Sequence, residues 1–457
     1  MRKRMLAIVM CTCLVTGLIG CDSKETVDGG NQSLENVTVD TDENQEELAD
    51  GALPTEFPVE TPPADMQIME TVNLMDGIET VSLAWEDIMP GNLITGFGVP
   101  LFQNALKEAE TGENVLVSPM SAWLALCMAE AGAVGDTKMQ MQNVLGISGE
   151  NHLAYLWDYT NNRSESEGAK LHLANGIWYK NVPSLEVKEA FLQYNKTMFD
   201  ATAYKAPFTE ETMNEINQWV SENTDGMVPE ILKEIKEEDV LYLVNALSFD
   251  AEWQNIYMQH DIWNDIFTTE GGEEQLVPMM HSEEKLYLED VNATGFMKYY
   301  KGNDYAFVAL LPKEGMTVAE YAEGLTAERL ADLLNNKNSG MVEVTMPKFS
   351  VEFGCNMNDC LMQMGMTDAF HEDNADFSEM AVSTIGNIYI SEVNQKCFLA
   401  VDERGTKAGA ATAVAMANKM MAIDKKVVNL NRPFVYLIID CRHNEPLFMG
   451  TLMQVEQ

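Results

Sequence analysis

The chain has 457 residues, 46% apolar and 8% aromatic, with 29 basic against 72 acidic side chains and a formal charge of −43. Enough apolar residues are present to bury a full core, which excludes global disorder. The charge repels phosphate backbones and anionic lipid headgroups, so nucleic acid is excluded as an expected partner; solubility, calcium or a cationic protein is favoured.

The chain opens on Arg2, Lys3 and Arg4, followed by an apolar run from Met5 to Ile19. That run is too short for a comfortable bilayer span and reads as a signal peptide over residues 1–20. Its end, Leu18-Ile19-Gly20-Cys21, resembles the lipobox of bacterial lipoproteins. The resemblance implies a diacylglycerol on Cys21 and a protein tethered outside the bacterial cytoplasm, at the cell surface or on the periplasmic side, or shed from it. An ordinary cleaved signal with an incidental Cys21 is the alternative. No later stretch is long and apolar enough to span, so membrane contact is expected only through the lipid.

Residues 22–90 hold 18 acidic residues and one base, Lys24, with Pro54, Pro58, Pro62 and Pro63 in the middle. Such a composition cannot offset the entropy of ordering, so residues 21–90 are expected to be a solvated, self-repelling coil. Random-coil scaling gives it an end-to-end span of roughly 45 Å. One domain is expected over 91–457.

Within that domain, Ser118-Pro119 places a capping oxygen and a preset φ before an apolar helix through Ala129 that runs out at Gly132. Asp136 is expected to cap a shorter helix ending before Gly146, and Thr317 with Glu320 forms a capping box for a helix that Gly324 and Thr326 split in two. Strand-like runs are Leu171 to Tyr179, Val240 to Phe249, Tyr305 to Leu311, Val342 to Thr345, Cys397 to Val401, Phe434 to Asp440 and Leu447 to Val455. Strands in succession at the C-terminal end argue for a mixed α+β fold rather than a doubly wound parallel sheet.

Catalytic and cofactor signatures are missing. The six histidines show no metal-binding spacing, and there is no Gly-x-Ser-x-Gly elbow, phosphate loop or Gly-x-Gly-x-x-Gly. Cys127, Cys397 and Cys441 lie in apolar runs, and Cys355 and Cys360 are not at zinc-like spacing. No enzyme activity, cofactor or metal is expected.

The unusual segment joins two strong strands and runs from Asp402 through Arg432. From Gly405 to Ala417 nearly every side chain is small. As a strand it would place Thr406, Ala408, Ala410, Thr412, Val414 and Met416 on one face, and Lys407 and Ala411 on the other. Local propensity instead favours an Ala-rich helix, although one without an apolar stripe strong enough to dock.

At this point the chain resembles the serpin family over residues 92–457. The motifs are Asn114 to Ser121; Gly135-Asp136-Thr137; Leu173-Ala174-Asn175; Val244-Asn245-Ala246 on to Phe249 and Trp253; Val277-Pro278-Met279-Met280; and Pro347-Lys348-Phe349. The most specific are Ala375-Asp376-Phe377-Ser378, the hinge Glu403-Arg404-Gly405-Thr406, Arg432-Pro433-Phe434 and Pro446-Leu447-Phe448-Met449-Gly450. The resemblance implies about nine helices around three β-sheets with an exposed reactive-centre loop, and replaces the helix preference for 405–417.

It further implies a monomeric suicide inhibitor that forms a 1:1 covalent complex with a serine protease. Counting from the hinge, with Gly405 fourteen residues upstream, puts the scissile bond at Lys419-Met420, which suits a trypsin-like target; cleavage after Met420 or Met421 would suit chymotrypsin-like or elastase-like enzymes. The hinge set is Glu403, Arg404, Gly405, Thr406, Ala408, Ala410, Ala411 and Thr412. Ser118, Ser121 and Asn245 match the region where the sheet parts, Trp253 the entry of the loop, and Gln395 stands where the family usually has His. The net charge points to a cationic protease. A non-inhibitory serpin acting as a cell-surface binding module is the competing reading, and a hydrolase or solute-binding lipoprotein is a third.

Overall fold

The computed structural model describes residues 70–80, 92–148, 152–153, 156, 168–236, 239–384, 386–406 and 425–456. Among these lie eight α-helices, two short 3-10 turns and eighteen strands in three sheets, the mixed α+β architecture expected.

The large sheet has seven strands, in the order Val72–Asn73, Thr202–Ala206, Ala169–Lys180, Leu241–Glu252, Gly405–Thr406, Asn394–Val401 and Phe349–Asn356. All neighbours are antiparallel except Thr202–Ala206 with Ala169–Lys180. A nine-stranded sheet runs Lys426–Asn429, Asn338–Pro347, Glu274–Glu289, Ala293–Tyr299, Tyr305–Pro312, Phe434–Asp440, Glu445–Leu452 and Leu116–Val117, with Ile262–Thr268 paired to the first part of Glu274–Glu289. Leu185–Val187 and Ala381–Ser383 form the third sheet.

Strand Leu241–Glu252 shows why the large sheet is central. It is buried along nearly its whole length, and its side chains divide by parity, as a pleated strand requires. Leu241, Leu243, Leu247 and Phe249 join the main core, whereas Tyr242, Val244 and Ala246 face a second cluster with Trp178, Ile216 and Val220. Ile216 and Val220 belong to helix Glu210–Asn223, which covers that outer face. The inner face meets helix Pro119–Glu130, every residue of which is buried. Its N-terminus is as expected: Pro119 opens the helix and the Ser118 side chain accepts from the Ser121 N–H.

The split helix is also as expected, with the Thr317–Glu320 box before Val318–Glu323 and Thr326 capping Ala327–Asn335. Asp136 is a correction. Helix Gly135–Leu145 has Val134 at its N-cap, so Asp136 sits in the first turn, where a carboxylate favours the helix dipole without capping it. Gly146 ends that helix in the left-handed region.

Residues 70–80 precede residue 91, where the sequence reading starts the domain, yet they are attached to it. Val72 and Asn73 extend the edge of the large sheet beside Thr202–Ala206, the Leu74 N–H donates to Ala203 O at 2.8 Å, and Met75 is buried. Lys196 Nζ donates to Met75 O at 3.2 Å and Ile78 O at 2.6 Å. A free strand edge and one buried methionine suffice to order a segment whose average composition reads as coil. The other residues of 1–91 lie outside the described set.

Candidate functional site

Strands Leu241–Glu252 and Asn394–Val401 are the site's two walls. They form no ladder with each other: the strand order places only the two-residue strand Gly405–Thr406 between them. Thr406 pairs with Ala251 on one side and Val401 on the other, and Gly405 with Glu252. A third strand therefore begins at one end of a slot and is carried no further by the described residues. Two strand spacings separate the walls there, about 10 Å. At the opposite end of Asn394–Val401, a cleft of about 630 Å³ opens beside Gly354, Asn394, Gln395 and segment 231–234.

The start of this third strand is tightly built. Asp402 accepts from the Arg404 N–H at 2.7 Å and the Gly405 N–H at 3.1 Å through its side chain, and its own N–H donates to Gly405 O at 2.9 Å. Gly405 is obligatory because a Cβ there would lie 1.9 Å from Ala251 O. The Trp253 N–H donates to Arg404 O at 2.7 Å and its indole to Asp402 O at 2.8 Å, while the Tyr257 N–H donates to Glu403 O at 2.9 Å. Outside, Lys348 forms an ion pair with Glu403, and the Lys348 ammonium holds that carboxyl below the usual range.

Thr406 is buried, and its Oγ1 lies 2.6 Å from the Tyr300 hydroxyl. Tyr300 stacks on Trp253, with centroids 4.4 Å apart and planes at 10°. Burial pushes the Tyr300 hydroxyl pKa up, so it stays protonated and able to donate. Beneath them, Lys298 and Glu284 form a buried ion pair at 2.6 Å, with the ammonium 4.5 Å from the Tyr257 ring and 5.5 Å from the Trp253 ring. Burial alone would lower the Lys298 pKa, but Tyr257 and Glu284 outweigh it and the ammonium stays charged.

Midway down the slot the inner row turns polar. Asn245 stands in register with Asn175 on the neighbouring strand. The Ser121 hydroxyl donates to Asn245 Oδ1, the Asn245 amide to Asn175 Oδ1, and the Asn175 amide to Phe199 O, the last at 2.9 Å. On the other wall, Gln395 uses both ends of its amide on Ser118, accepting from its N–H at 2.8 Å and donating to its O at 2.9 Å. The Ser118 hydroxyl donates to Leu447 O at 2.8 Å. Ser118 therefore caps its helix and ties one wall to the C-terminal strand, and Gln395 supplies both a donor and an acceptor.

The structure thus brings Glu403, Arg404, Gly405, Thr406 and Trp253 together at the slot's head, and Ser118, Ser121, Asn245 and Gln395 along its walls. Cys21, Ala408, Ala410, Ala411, Thr412, Lys419, Met420 and Met421 lie outside the described residues. The sequence reading passed over Asn175 as a network member, Tyr300, and the Lys298–Glu284 pair. A signal existed for the first: Asn175 and Asn245 are isolated amides within strand-like runs, the pattern of a polar cross-strand pair.

A family model described as serpin (serine protease inhibitor) matches residues 92–455. A serpin-like protein of Thermococcus kodakarensis is 32% identical over 79% of this chain and 85% of its own length. Human antithrombin-III is 27% identical over 78% and 79%. Among solved structures, the thermophilic serpin tengpin in its native state matches with a TM-score of 0.80 at 42% identity, covering 85% of this chain and 100% of that one. Tengpin in its latent state matches with a TM-score of 0.71 at 41% identity over 83% and 100%, so the present chain is more similar to the native form.

Proposed function

The chain belongs to the serpin family, a family of serine protease inhibitors, and on that premise we propose that it is a suicide inhibitor whose scissile bond is Lys419-Met420 and whose target is trypsin-like. The observation that carries this reading is the parted sheet with its third strand already begun at Gly405–Thr406.

The protease's serine hydroxyl attacks the Lys419 carbonyl, the bond to the Met420 nitrogen breaks, and Met420 leaves as a free amine while Lys419 remains as an ester on the enzyme. Cutting the loop frees the chain after Thr406 to continue as a strand between the two walls. On the order of ten ladder hydrogen bonds would form, each worth roughly 1 kcal/mol. Because Thr406 points inward to Tyr300, strand alternation in the inserted state would send Ala408, Ala410 and Thr412 inward too, and all are small. Lys407 would then point outward. Insertion drags the acylated enzyme away and distorts it before water can release the ester. The uncut fold is thus held above its lowest free energy by a kinetic barrier.

Incubation with trypsin, chymotrypsin and elastase tests this. The expected result is an SDS-stable adduct with trypsin and a released peptide beginning at Met420; a peptide beginning at Met421 or Ala422 moves the target to a chymotrypsin-like or elastase-like enzyme. Clean cleavage with no adduct rejects inhibition and leaves a binding module.

Lipid anchoring through Cys21 belongs to the same proposal, supported by the Gly20-Cys21 motif and the acidic stretch behind it. Metabolic labelling with an alkyne fatty acid should mark the wild type, and Cys21→Ala should abolish the label; a label that survives the substitution removes the anchor.

A further inference from the structure

The foot of the slot, where strands Leu241–Glu252 and Asn394–Val401 both begin, is spanned by a run of side chains. Tyr242, on the first wall, donates its hydroxyl to Asp239, a buried carboxylate that also accepts from the Lys236 N–H at 2.9 Å. The Lys236 ammonium lies 2.5 Å from Glu392 Oε1. Glu392 Oε2 accepts in turn from the side-chain amide of Asn394, on the second wall, at 2.9 Å. The walls are thus tied at the foot through one ion pair, Lys236 with Glu392, beside the cleft that opens at that end.

The register at the slot's head says which inserted residue would meet this bridge. Thr406 lies opposite Ala251 on one wall and Val401 on the other, antiparallel to both. A strand continued in that register moves one residue down each wall for every residue that enters. Residue 414 would then fall opposite Leu243 and Val393, clear of the bridge, and residue 415 opposite Tyr242 and Glu392, the groups between which it is strung. Residue 415 is Ala. By the alternation that turns Thr406 inward, its side chain would face outward, towards the cluster to which Tyr242 belongs.

We propose that Lys236 and Glu392 form a latch at the foot of the slot: insertion runs freely as far as residue 414, and its last stage, from Ala415 towards Lys419, waits for this ion pair to part. Both side chains are partly exposed, 42% for Lys236 and 24% for Glu392. Water therefore receives each charge when the pair opens, so the latch delays the last stage without blocking it. The inference rests on the inhibitory reading above and adds to it the groups that time the final movement of the acylated enzyme. They are positioning residues, since neither touches the scissile bond.

The test uses the full-length protein with trypsin as the probe. Wild type, Lys236→Met, Glu392→Gln and the exchange Lys236→Glu/Glu392→Lys are compared by the limiting rate at which trypsin is irreversibly trapped at saturating inhibitor, and by melting temperature before and after the loop is cut. Each single variant should trap about two- to fivefold faster, the most that an ion pair of this exposure allows, and the exchange should return the rate to that of wild type. All four should melt together once cut, because the pair has already parted there. Equal trapping rates in all four forms would overturn the latch, and so would an exchange that traps as fast as the single variants. Single variants that lose as much melting temperature cut as intact would also overturn it, by showing that the pair survives insertion. No adduct from any form, wild type included, would instead sink the inhibitory reading on which the latch depends.

Discussion

The two large sheets of this molecule are built from similar strands and end in opposite conditions. In the nine-stranded sheet, Tyr305–Pro312, Phe434–Asp440 and Glu445–Leu452 are paired along their lengths and buried at every position. In the seven-stranded sheet, Leu241–Glu252 and Asn394–Val401 are equally well paired on their outer sides, and among the described residues strand pairing on their inner sides runs only through Gly405 and Thr406. Apolar side chains line the first junction. Ser118, Ser121, Asn175, Asn245 and Gln395 line the second, with bonds that can be exchanged for others. Closure of one sheet is a source of stability; incompleteness of the other is, on the mechanism proposed above, a store of free energy.

The largest expected effect follows from placing a charge where the third strand must pass. Thr406→Arg puts a guanidinium against Tyr300 and Trp253, and burying an unpaired charge costs several kcal/mol. The stoichiometry of inhibition should rise at least about tenfold as the protein becomes a substrate; an unchanged stoichiometry would show that insertion does not pass through this point.

Two substitutions then set the sheets against each other. Leu437→Ala, in the closed sheet, should cost about 2–5 kcal/mol and lower the melting temperature of intact and loop-cleaved protein alike. Asn245→Ala should cost about 1–3 kcal/mol by leaving the groups of Ser121 and Asn175 without a partner, and should act mainly on the intact form, speeding its spontaneous loss of activity. Equal shifts in both forms for both variants would erase the distinction.

A pH effect of intermediate size belongs to the closed sheet. Burial pushes the Glu445 carboxyl up to about 7, against hydrogen bonds from Thr95 and the Ile94 N–H. Folding therefore favours its protonated form, so its contribution is fully present below about pH 4.5 and is lost as pH rises through 7, by up to roughly 3 kcal/mol. Denaturant titrations between pH 5 and 8 should show this decline, and Glu445→Gln should flatten it. Smallest is the half-exposed Lys348–Glu403 pair: Lys348→Gln should change stability by no more than about 1 kcal/mol, and on the proposed mechanism should be seen chiefly as faster spontaneous loss of inhibition on storage.

Legibility in the sequence followed the same division. Phe434–Asp440 was readable to the residue because a strand buried on both faces is a continuous apolar run, and the capping box at Thr317 announced its helix. Ile262–Thr268 was not readable, since an exposed edge strand interleaves Trp263, Asn264 and Asp265 without alternation. The hinge was legible only through family resemblance: alanine-rich local propensity favours a helix, and what makes Gly405 and Thr406 a strand is the slot supplied by residues over 150 positions away. Buried charges such as Lys298 and Glu284 cannot be recognised from local sequence, because their pairing depends on two strands meeting.

Melting temperature before and after a single cut within 407–424, made by a protease that is not trapped, tests the central claim most directly. If the slot is an unfilled strand position, the cut protein should melt well above the intact one, because the freed segment completes the sheet. A melting temperature that stays level or falls after the cut would contradict it.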